Sequence, residues 1–392
     1  MSKKDKLLFV CSRFPFPLDK GDKLRAYHQI RFLSKKFDVV LVATDQKKIN
    51  PQQIQELKKF CKEIYAFKVT KLEMAWNILK SLFVGIPLQV GYFYSYKAHK
   101  KINDLLGDAD IKFSVFQLLR TAIYQDKKEN KSIAALDYMD ALSVGMERRF
   151  LKERNWWLQP IIYLEAKLLK NYERKVYEKF DKHFIISEED KNLLTNLKDK
   201  KLYVNSNGID TDYFQQNADY SKKQYDIVFV GNMSYAPNIV AVNYMAEKII
   251  PELPENIRFL IAGASPTSKV KKLANKNITV SGWIDDIREA YSKANIFVAP
   301  MKTGTGLQNK LLEAMAMGVP CITTKLCNKA LKATEGQEIL LADNDDELAR
   351  KIMLMMLNEV SRKEIGSAGR RFVIKNYSWE NNVNEMIEVL KS

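Results

Sequence analysis

A glycine-containing loop followed by a charged helix start stands out in GTGLQNKLLEAMAMG, residues 304–318. Glycines between a strand and a helix let backbone amides approach an anion, and the helix N-terminus adds free N–H groups and partial positive charge. Lys310 and Glu313 are expected one turn apart on the same helix face. The lysine could neutralise a diphosphate while the glutamate accepts hydrogen bonds from two ribose hydroxyls, which suits a nucleoside diphosphate. An ordinary surface ion pair between the two side chains is the alternative.

Other phosphate and metal motifs are weak in this sequence. No Gly-Lys-Ser/Thr follows the loop, so it is not a P-loop, and GTG alone is a poor dinucleotide fingerprint. The histidines and cysteines have neither metal-ligand nor disulfide spacing. Two Asp-x-Asp stretches, 108–110 and 343–345, are interpreted as polar loops. We therefore predict no cofactor and no required metal ion.

The elements that must position the loop follow an α/β pattern. Short apolar runs rich in β-branched and aromatic residues alternate with amphipathic segments, as in parallel sheets built from βαβ units. The Asn- and Gly-rich segment 204–214 separates two similar sets of strands, and residues 378–392 form a final amphipathic helix. The predicted strands are Leu7–Cys11, Asp38–Val42, Ile64–Phe67, Phe113–Gln117, Ile133–Asp137, His183–Ile186, Asp226–Val230, Ile257–Ala262, Ile278–Ser281, Ile296–Ala299, Cys321–Thr324 and Ile339–Leu341.

Nearly all of the positive charge lies in the first half of the chain. The first 200 residues carry 39 Lys and Arg against 25 Asp and Glu, whereas the rest carries 24 against 22. Such a field attracts acidic lipid headgroups or phosphorylated acceptors, although a lysine-rich soluble surface is an equal alternative. The sequence has no motif of an RNA- or DNA-binding module, so we predict no nucleic-acid partner.

Two apolar and aromatic segments of the first half could rest on an anionic membrane surface. Residues 148–182 mix Trp156 and Trp157 with many Lys and Arg, and residues 74–97 are similarly apolar. Packing in the domain core is the alternative for both. No apolar run is long enough to span a bilayer, and the N-terminus is not typical of a signal peptide. We expect a cytoplasmic protein that could be peripheral on the inner face of the cell membrane.

Several stretches resemble one known family. GTGLQNKLLEAMAMGVPCITT is similar to the donor-site signature of glycosyltransferase family 4 (group 1), a family with the GT-B fold. VNSNGIDTDYF resembles its domain junction, FVGNMSYAPN the loop that opens its second domain, and SGWIDDIREAYSKANIFVAP the segment before the donor loop. In the first half, PFPLDKGDKLRAYHQIRFLSKKFDVVLVA, ALDYMDALS and FDKHFIISEED resemble bacterial sugar transferases of polysaccharide assembly.

The resemblance implies a domain arrangement. Two Rossmann-like, doubly wound α/β domains would face a deep cleft. Residues 1–205 would bind the acceptor, residues 206–376 would bind the nucleotide sugar, and the helix over 377–392 would cross back to the first domain.

The resemblance also implies a donor site. Lys310 would hold the phosphates and Glu313 the ribose, while the loop amides would face the sugar and diphosphate. Trp283 and Ile284 would pack on the base, with ordinary packing at a strand end as the alternative. The implied donor-binding residues are Gly231, Asn232, Trp283, Ile284, Thr303, Gly304, Thr305, Gly306, Leu307, Gln308, Lys310 and Glu313.

Two departures from the family pattern concern charge. Many members carry an arginine and then a lysine after the glycine at 231, where this chain has Asn232 and later Pro237-Asn238. Thr305 replaces the first glutamate of the family's EX7E pattern. Lys310 is therefore expected to carry a larger share of phosphate binding, unless Lys302 assists.

On the acceptor side, LDYMD ends a predicted strand at the edge where open α/β sheets bind ligands. The resemblance places Asp137 beside the anomeric carbon, and we prefer it to Asp140 as the catalytic carboxylate. A helix cap or turn is the alternative role. The residues implied near the acceptor or the leaving phosphate are Gly21, Lys23, Arg25, Arg120 and Asp140, unless the charged ones are merely solvated.

The implied activity is transfer of a sugar from a UDP- or GDP-sugar to a hydroxyl of a glycan or lipid-linked acceptor. The family implies retention at the anomeric carbon and no metal ion, with Asp137, Lys310 and Glu313 as catalytic residues. Two alternatives stay open. One is a nucleotide-sugar epimerase or hydrolase of the same fold, and the other is a non-catalytic binding or scaffold subunit.

Overall fold

The computed structural model describes residues 4–126, 132–153, 155–194, 202–215, 223–302 and 307–392. The chain forms two compact units. One comprises Met1–Asn207 together with Asn382–Ser392, and the other comprises Gly208–Asn381.

The first unit is built on a parallel sheet with helices. Its strands are β1 Lys6–Cys11, β2 Asp38–Asp45, β3 Cys61–Lys68, β4 Ile111–Gln117, β5 Ile133–Asp137, β6 Lys182–Ile185 and β7 Leu202–Val204. Its helices are α1 Gly21–Leu33, α2 Pro51–Leu57, α3 Lys71–Val84, α4 Leu88–Tyr92, α5 Tyr96–Leu106, α6 Leu142–Lys152, α7 Gln159–Tyr177 and α8 Glu188–Leu193, with a 3-10 helix at Leu119–Tyr124.

The strand order of this sheet is β3-β2-β1-β4-β5-β6-β7, and the neighbouring strands pair in parallel. The central strand β1 is an apolar run that is almost entirely buried, because both faces of the sheet are covered. The strand order reverses between β1 and β4. In open α/β sheets the crevice at the carboxyl ends of two such strands is where ligands bind.

The second unit repeats this architecture. Its strands are β8 Tyr225–Val230, β9 Phe259–Ala262, β10 Ile278–Gly282, β11 Ala294–Ala299, β12 Cys321–Thr323 and β13 Leu340–Leu341. Its helices are α9 Ala236–Tyr244, α10 Ser268–Lys271, α11 Ile287–Ser292, α12 Asn309–Ala316, α13 Lys325–Leu331, α14 Asp345–Leu357 and α15 Glu359–Tyr377. The last helix, α16 Trp379–Lys391, belongs mostly to the first unit. The parallel strand order is β10-β9-β8-β11-β12-β13, so the reversal lies between β8 and β11.

The predicted α/β class is confirmed, and each predicted strand overlaps an observed one. The strand Leu202–Val204 was missed. It is short, and it adjoins the Asn- and Gly-rich segment that we interpreted as a linker. Its pairing with β6 depends on the rest of the sheet, which a local pattern does not reveal.

Candidate functional site

The best-formed candidate site lies at the carboxyl ends of β8 and β11, where the second sheet reverses order. Gly231 follows β8 directly, and helix α12 starts at Asn309 after the loop that follows β11. Leu307 and Gln308 are half-buried just before α12. The predicted loop residues Thr303–Gly306 lie outside the described residues, so their part of the prediction stays untested.

Lys310 extends from the first turn of α12 into a partly buried position. Its Nζ donates a hydrogen bond to Asn238 Oδ1 at 2.5 Å and lies 4.8 Å from the centroid of the Phe229 ring. Burial lowers the pKa of Lys310 to about 8, although the nearby Glu313 opposes this shift. The ammonium is therefore held by a neutral amide and an aromatic face, so its charge is available to an anion.

Asn238 has a fixed orientation that sequence reasoning missed. Its Nδ2 donates to the backbone carbonyl of Asn232 at 2.9 Å, which turns its Oδ1 toward Lys310. A side chain at Gly231 would place a Cβ 2.6 Å from that Nδ2, so glycine is required for this close approach. The only hint in the sequence was that Asn238 stands close to the position where many members of the family carry a lysine.

Glu313 lies one turn further along α12 and is anchored by Tyr291. The buried tyrosine hydroxyl donates to Glu313 Oε2 at 2.7 Å. Burial raises the pKa of Glu313, while the hydrogen bond from Tyr291 and the charge of Lys310 act in the opposite direction. Both Lys310 and Glu313 are described, and no ion pair is recorded between them, which contradicts the surface ion pair that we weighed as the alternative.

Trp283 and Ile284, which were both predicted to pack on the base, have different environments in the structure. Trp283 is 72% exposed, with its Nε1 donating to Asp285 at 2.9 Å, so it does not pack as a strand-end core residue. Ile284 instead packs against the core of the second unit. Asn232 uses its side chain to accept hydrogen bonds from the backbone and hydroxyl of Ser234. Trp283 alone of these offers an open ring face.

The acceptor-side prediction requires a correction at Asp137 and Arg25. Both side chains are fully buried and form a two-point ion pair, with Arg25 Nε 2.7 Å from Oδ2 and Nη2 3.1 Å from Oδ1 of Asp137. Gln29 donates to the same carboxylate at 2.7 Å, and Arg25 also donates from Nη2 to the Asn205 carbonyl and from Nη1 to the Asn207 side chain. Neither group can reach a ligand in this arrangement, so the pair positions β5, α1 and the segment after β7 instead of contacting substrate.

Asp140, which we ranked below Asp137, is exposed at the carboxyl end of β5. The side chain keeps an exposed surface, but protein atoms crowd around it and displace much of the nearby water, which raises its pKa to about 6; Asp190 adds to this shift and Arg120 opposes it. Met139 before it adopts a left-handed conformation, with φ 67°, which redirects the chain after the strand. Asp140 is thus the carboxylate of LDYMD that a ligand can reach.

The remaining predicted residues gather around α1. Gly21 is exposed at the first position of the helix, and Lys23 is nearly buried and pairs with Asp19 at 3.1 Å. Arg120 donates from Nη2 to Asp22 at 3.0 Å. Burial lowers the pKa of Arg120 to about 10.

Sequence reasoning missed Ser12 and Arg13, which directly follow β1 and contact Arg120 and Asp22, respectively. Arg120 Nε donates to Ser12 Oγ at 2.6 Å, and Arg13 Nη1 donates to Asp22 at 2.5 Å. The only signal available in advance was that both residues follow an apolar strand at the ligand-binding edge of a parallel sheet.

Among the described residues, no group of three or more His, Cys, Asp or Glu is arranged to hold a metal ion. The Asp-x-Asp stretches have other contacts. Asp108 and Asp110 lie 3.2 and 3.4 Å from Lys6 Nζ, and Asp345 accepts from the Tyr244 hydroxyl. In the same described ranges, no helix has the length and apolar character needed to cross a bilayer.

Comparisons with known proteins identify a matching family model and similar sequences. Residues 224–358 match the family model for glycosyl transferases group 1. The chain is 23% identical over 389 residues to an uncharacterized 44.6 kDa protein in the cps region of Klebsiella pneumoniae, covering 95% of this chain and 96% of that one. It is also similar to the GalNAc-alpha-(1->4)-GalNAc-alpha-(1->3)-diNAcBac-PP-undecaprenol alpha-1,4-N-acetyl-D-galactosaminyltransferase of Campylobacter jejuni, with 25% identity over 270 residues, 65% of this chain and 72% of that one.

A solved structure matches the whole chain. Anabaena HepE in complex with UDP superposes with a TM-score of 0.67 at 12% identity, covering 98% of this chain and 99% of that chain. The resemblance to group 1 glycosyltransferases is confirmed by the family-model match over residues 224–358, and the GT-B fold implied by the sequence motifs is confirmed by the superposition.

Proposed function

We propose that this protein transfers a sugar from a nucleotide-diphosphate sugar to an acceptor hydroxyl, with retention of configuration and without a metal ion. The observation that carries the proposal is the arrangement of Lys310 and Glu313 at the point of order reversal in the second sheet. Lys310 offers a cation whose recorded hydrogen-bond acceptors, the Asn238 amide and the Met301 thioether, are both neutral, and Glu313 offers a carboxylate with one oxygen anchored by Tyr291. The UDP bound to HepE supports a nucleoside diphosphate as the ligand class.

Each group has a defined task in this reaction. The negative charge that develops as the sugar departs is carried mainly by the leaving phosphates, and Lys310 with the N-terminus of α12 would stabilise it. Glu313 would accept hydrogen bonds from the ribose hydroxyls. In front-face attack the acceptor hydroxyl forms the new glycosidic bond while the leaving phosphate takes its proton. Because lysine and backbone amides meet the phosphate charge, this scheme needs no divalent ion.

Donor binding can be tested by thermal denaturation with UDP-, GDP- and ADP-sugars. A ligand that binds only the folded state adds about 2.7 kcal/mol at roughly 100 times its Kd. Lys310→Ala and Glu313→Gln should abolish the shift, whereas Lys329→Ala and Glu364→Gln, which alter exposed residues of the same unit, should keep it. An unchanged shift in the first two variants would refute the site.

Product analysis distinguishes the three candidate functions, of which two are enzymatic and one is not. A transferase consumes donor in step with acceptor glycosylation. An epimerase or hydrolase consumes donor without acceptor, and a scaffold subunit binds donor without turnover. We expect the first pattern with glycan or lipid-linked acceptors, as in the reaction named for the Campylobacter relative.

We further propose a role in polysaccharide or glycoconjugate assembly at an anionic membrane surface. Helix α3 exposes Leu72, Trp76, Leu79 and Phe83, which recur at helical spacing and form one apolar stripe. Leu72 and Phe83 are 84% and 83% exposed. The rest of the segment 74–97 includes core-packed residues such as Val90 and Phe93, so the core-packing alternative holds for that part and the membrane proposal rests on the exposed face of α3. The excess of Lys and Arg in the first half complements acidic lipid headgroups.

Vesicle sedimentation tests this membrane proposal. Phosphatidylglycerol vesicles should bind the protein at low salt and release part of it at high salt. The double variant Trp76→Asp/Phe83→Asp should lose binding, whereas Leu357→Asp, an equally exposed change in the second unit, should not. Equal binding to neutral phosphatidylcholine vesicles would contradict the electrostatic part of the proposal.

A further inference from the structure

Two arginines of the first unit share one carboxylate oxygen beside the point of order reversal. Arg13 Nη1 lies 2.5 Å and Arg120 Nη2 lies 3.0 Å from Asp22 Oδ2. Arg13 follows β1 and Arg120 follows β4, the two strands between which the sheet order reverses. The backbone reverses sharply before Arg120, because Leu118 adopts φ 71° directly after β4.

Among the described residues, Arg13 has no carboxylate of its own in this cluster. It shares Asp22 with Arg120, which is also close enough to Asp140 to interact with it electrostatically, and the lysine nearby, Lys23, has its partner in Asp19. Asp22 lies in the first turn of α1, whose N-cap residue makes no side-chain capping bond, so the helix end adds partial positive charge. Arg13 therefore offers positive charge to an additional anion.

The contrast with Arg25 shows that this arrangement is more than a buried structural ion pair. Arg25 is 0% exposed, and its guanidinium donates to Asp137, Asn205 and Asn207. Arg13 retains 26% of its side-chain exposure. Within the described residues its recorded hydrogen bond is the single one to Asp22. Its other guanidinium hydrogens are available for a phosphate, which arginine recognises through paired hydrogen bonds.

The aromatic ring of Phe93 and the short helix α4 connect the arginines to helix α3. The guanidinium carbons of Arg120 and Arg13 lie 4.0 and 5.1 Å from the centroid of Phe93, which directly follows α4. Helices α3 and α4 approach so closely that a Cβ at Gly91 would lie 1.9 Å from Ser81 Oγ. Cationic groups and an exposed apolar helix thus belong to one packed region of the first unit.

We propose that Arg13 and Arg120 bind the diphosphate group of a lipid-linked acceptor, an assignment that rests on the glycosyltransferase function proposed above. A prenyl diphosphate has both required parts, a doubly charged headgroup for the arginines and an apolar chain for the α3 surface. Asp22 keeps the two guanidinium groups together while the site is empty. The undecaprenol diphosphate in the name of the Campylobacter relative's substrate is of this class.

Calorimetric titration of the full chain with farnesyl diphosphate and, separately, with UDP tests the assignment. Arg13→Gln should weaken farnesyl diphosphate binding about tenfold, the effect expected for loss of one charged hydrogen-bonding group, and leave UDP binding unchanged. Lys310→Ala should give the opposite pattern. Arg148→Gln, an exposed arginine of the same unit, should change neither.

Each alternative outcome has a defined meaning. Failure of the wild-type protein to bind farnesyl diphosphate, or equal affinity in Arg13→Gln, overturns the proposal. Equal weakening of UDP binding would assign the arginines to the donor's diphosphate instead and also overturns it. If the wild-type protein does not bind UDP, the proposed donor site is wrong. The farnesyl diphosphate titration tests the acceptor proposal independently of that result. Arg120→Gln provides a second variant, provided that its thermal unfolding shows a folded protein.

Discussion

The two units place a cation near the ligand-binding edge of a parallel sheet, but they treat it differently. Arg25 in the first unit faces the carboxylate of Asp137 and is wholly enclosed. Lys310 in the second unit faces the amide of Asn238 and keeps part of its surface exposed. A buried cation with a full set of partners stabilises the fold, whereas a cation held by a neutral group retains the capacity to bind an anion. Residue type alone does not distinguish the two cases.

The largest expected effect comes from breaking the saturated pair. Asp137→Ala leaves the guanidinium of Arg25 buried without its counter-charge, so the free energy of unfolding should fall by about 3–5 kcal/mol. Lys310→Ala should cost no comparable stability. Urea denaturation of both variants measures the difference. Equal losses would mean that the two cations do not differ in the way that their contacts indicate.

A smaller effect is expected when Lys310 is given a carboxylate partner, as Arg25 has in Asp137. Asn238→Asp would place a carboxylate against Lys310, raise the pKa of the lysine and compete with the donor phosphates. We expect UDP binding to weaken about tenfold, the equivalent of about 1.4 kcal/mol. Asn376→Asp, a change at an exposed position of α15, serves as the control in the same titration. Tighter UDP binding in Asn238→Asp would contradict the role assigned to the amide.

The smallest of these expected effects is the change in UDP binding with pH near neutrality. The pKa of Lys310 is lowered to about 8, so the free protein loses this charge as the pH rises through that value. UDP affinity should fall about twofold from pH 7 to 8 and about tenfold by pH 9, if only the ammonium form binds. A profile that is flat up to pH 9 would show that the lysine keeps its proton.

The lowered pKa of Lys310 weakens UDP binding as the pH rises, but it has the opposite effect on stability. Between pH 8 and 10.5 the unfolded lysine keeps its proton while the folded one has lost it, so the contribution of Lys310 to the free energy of unfolding rises with pH over this window. The difference in unfolding free energy between wild type and Lys310→Ala, followed across that window, isolates this contribution.

Much of the architecture could be predicted from local pattern. Apolar runs such as β1 and β11 are buried on both faces, so each appears as a continuous hydrophobic segment between turn-forming residues. The glycine loop and the spacing of Lys310 and Glu313 likewise depend only on neighbouring residues. Partners distant in the chain could not be found this way. Asn238 meets Lys310 only because β8 and β11 are adjacent in the sheet.

The same limit explains the error at Asp137. The pattern LDYMD correctly places two carboxylates at the end of β5, but it does not show which one the fold encloses. Arg25 reaches Asp137 from α1, over a separation that no local spacing rule covers. Arg25 also donates to Asn205 and Asn207 of the junction motif, so the asparagines of that motif have a structural task.

By itself, the sequence determined the class of fold and the succession of strands and helices, because these follow from periodicity and from the conformational limits of glycine and proline over short distances. Tertiary structure decided which charged side chains are saturated and which are open to a ligand, since burial and counter-charge arise only when strands remote in sequence become neighbours. That distinction separates Arg25 and Asp137, which stabilise the fold, from Lys310, Arg13 and Asp140, which face solvent at the two sheet edges.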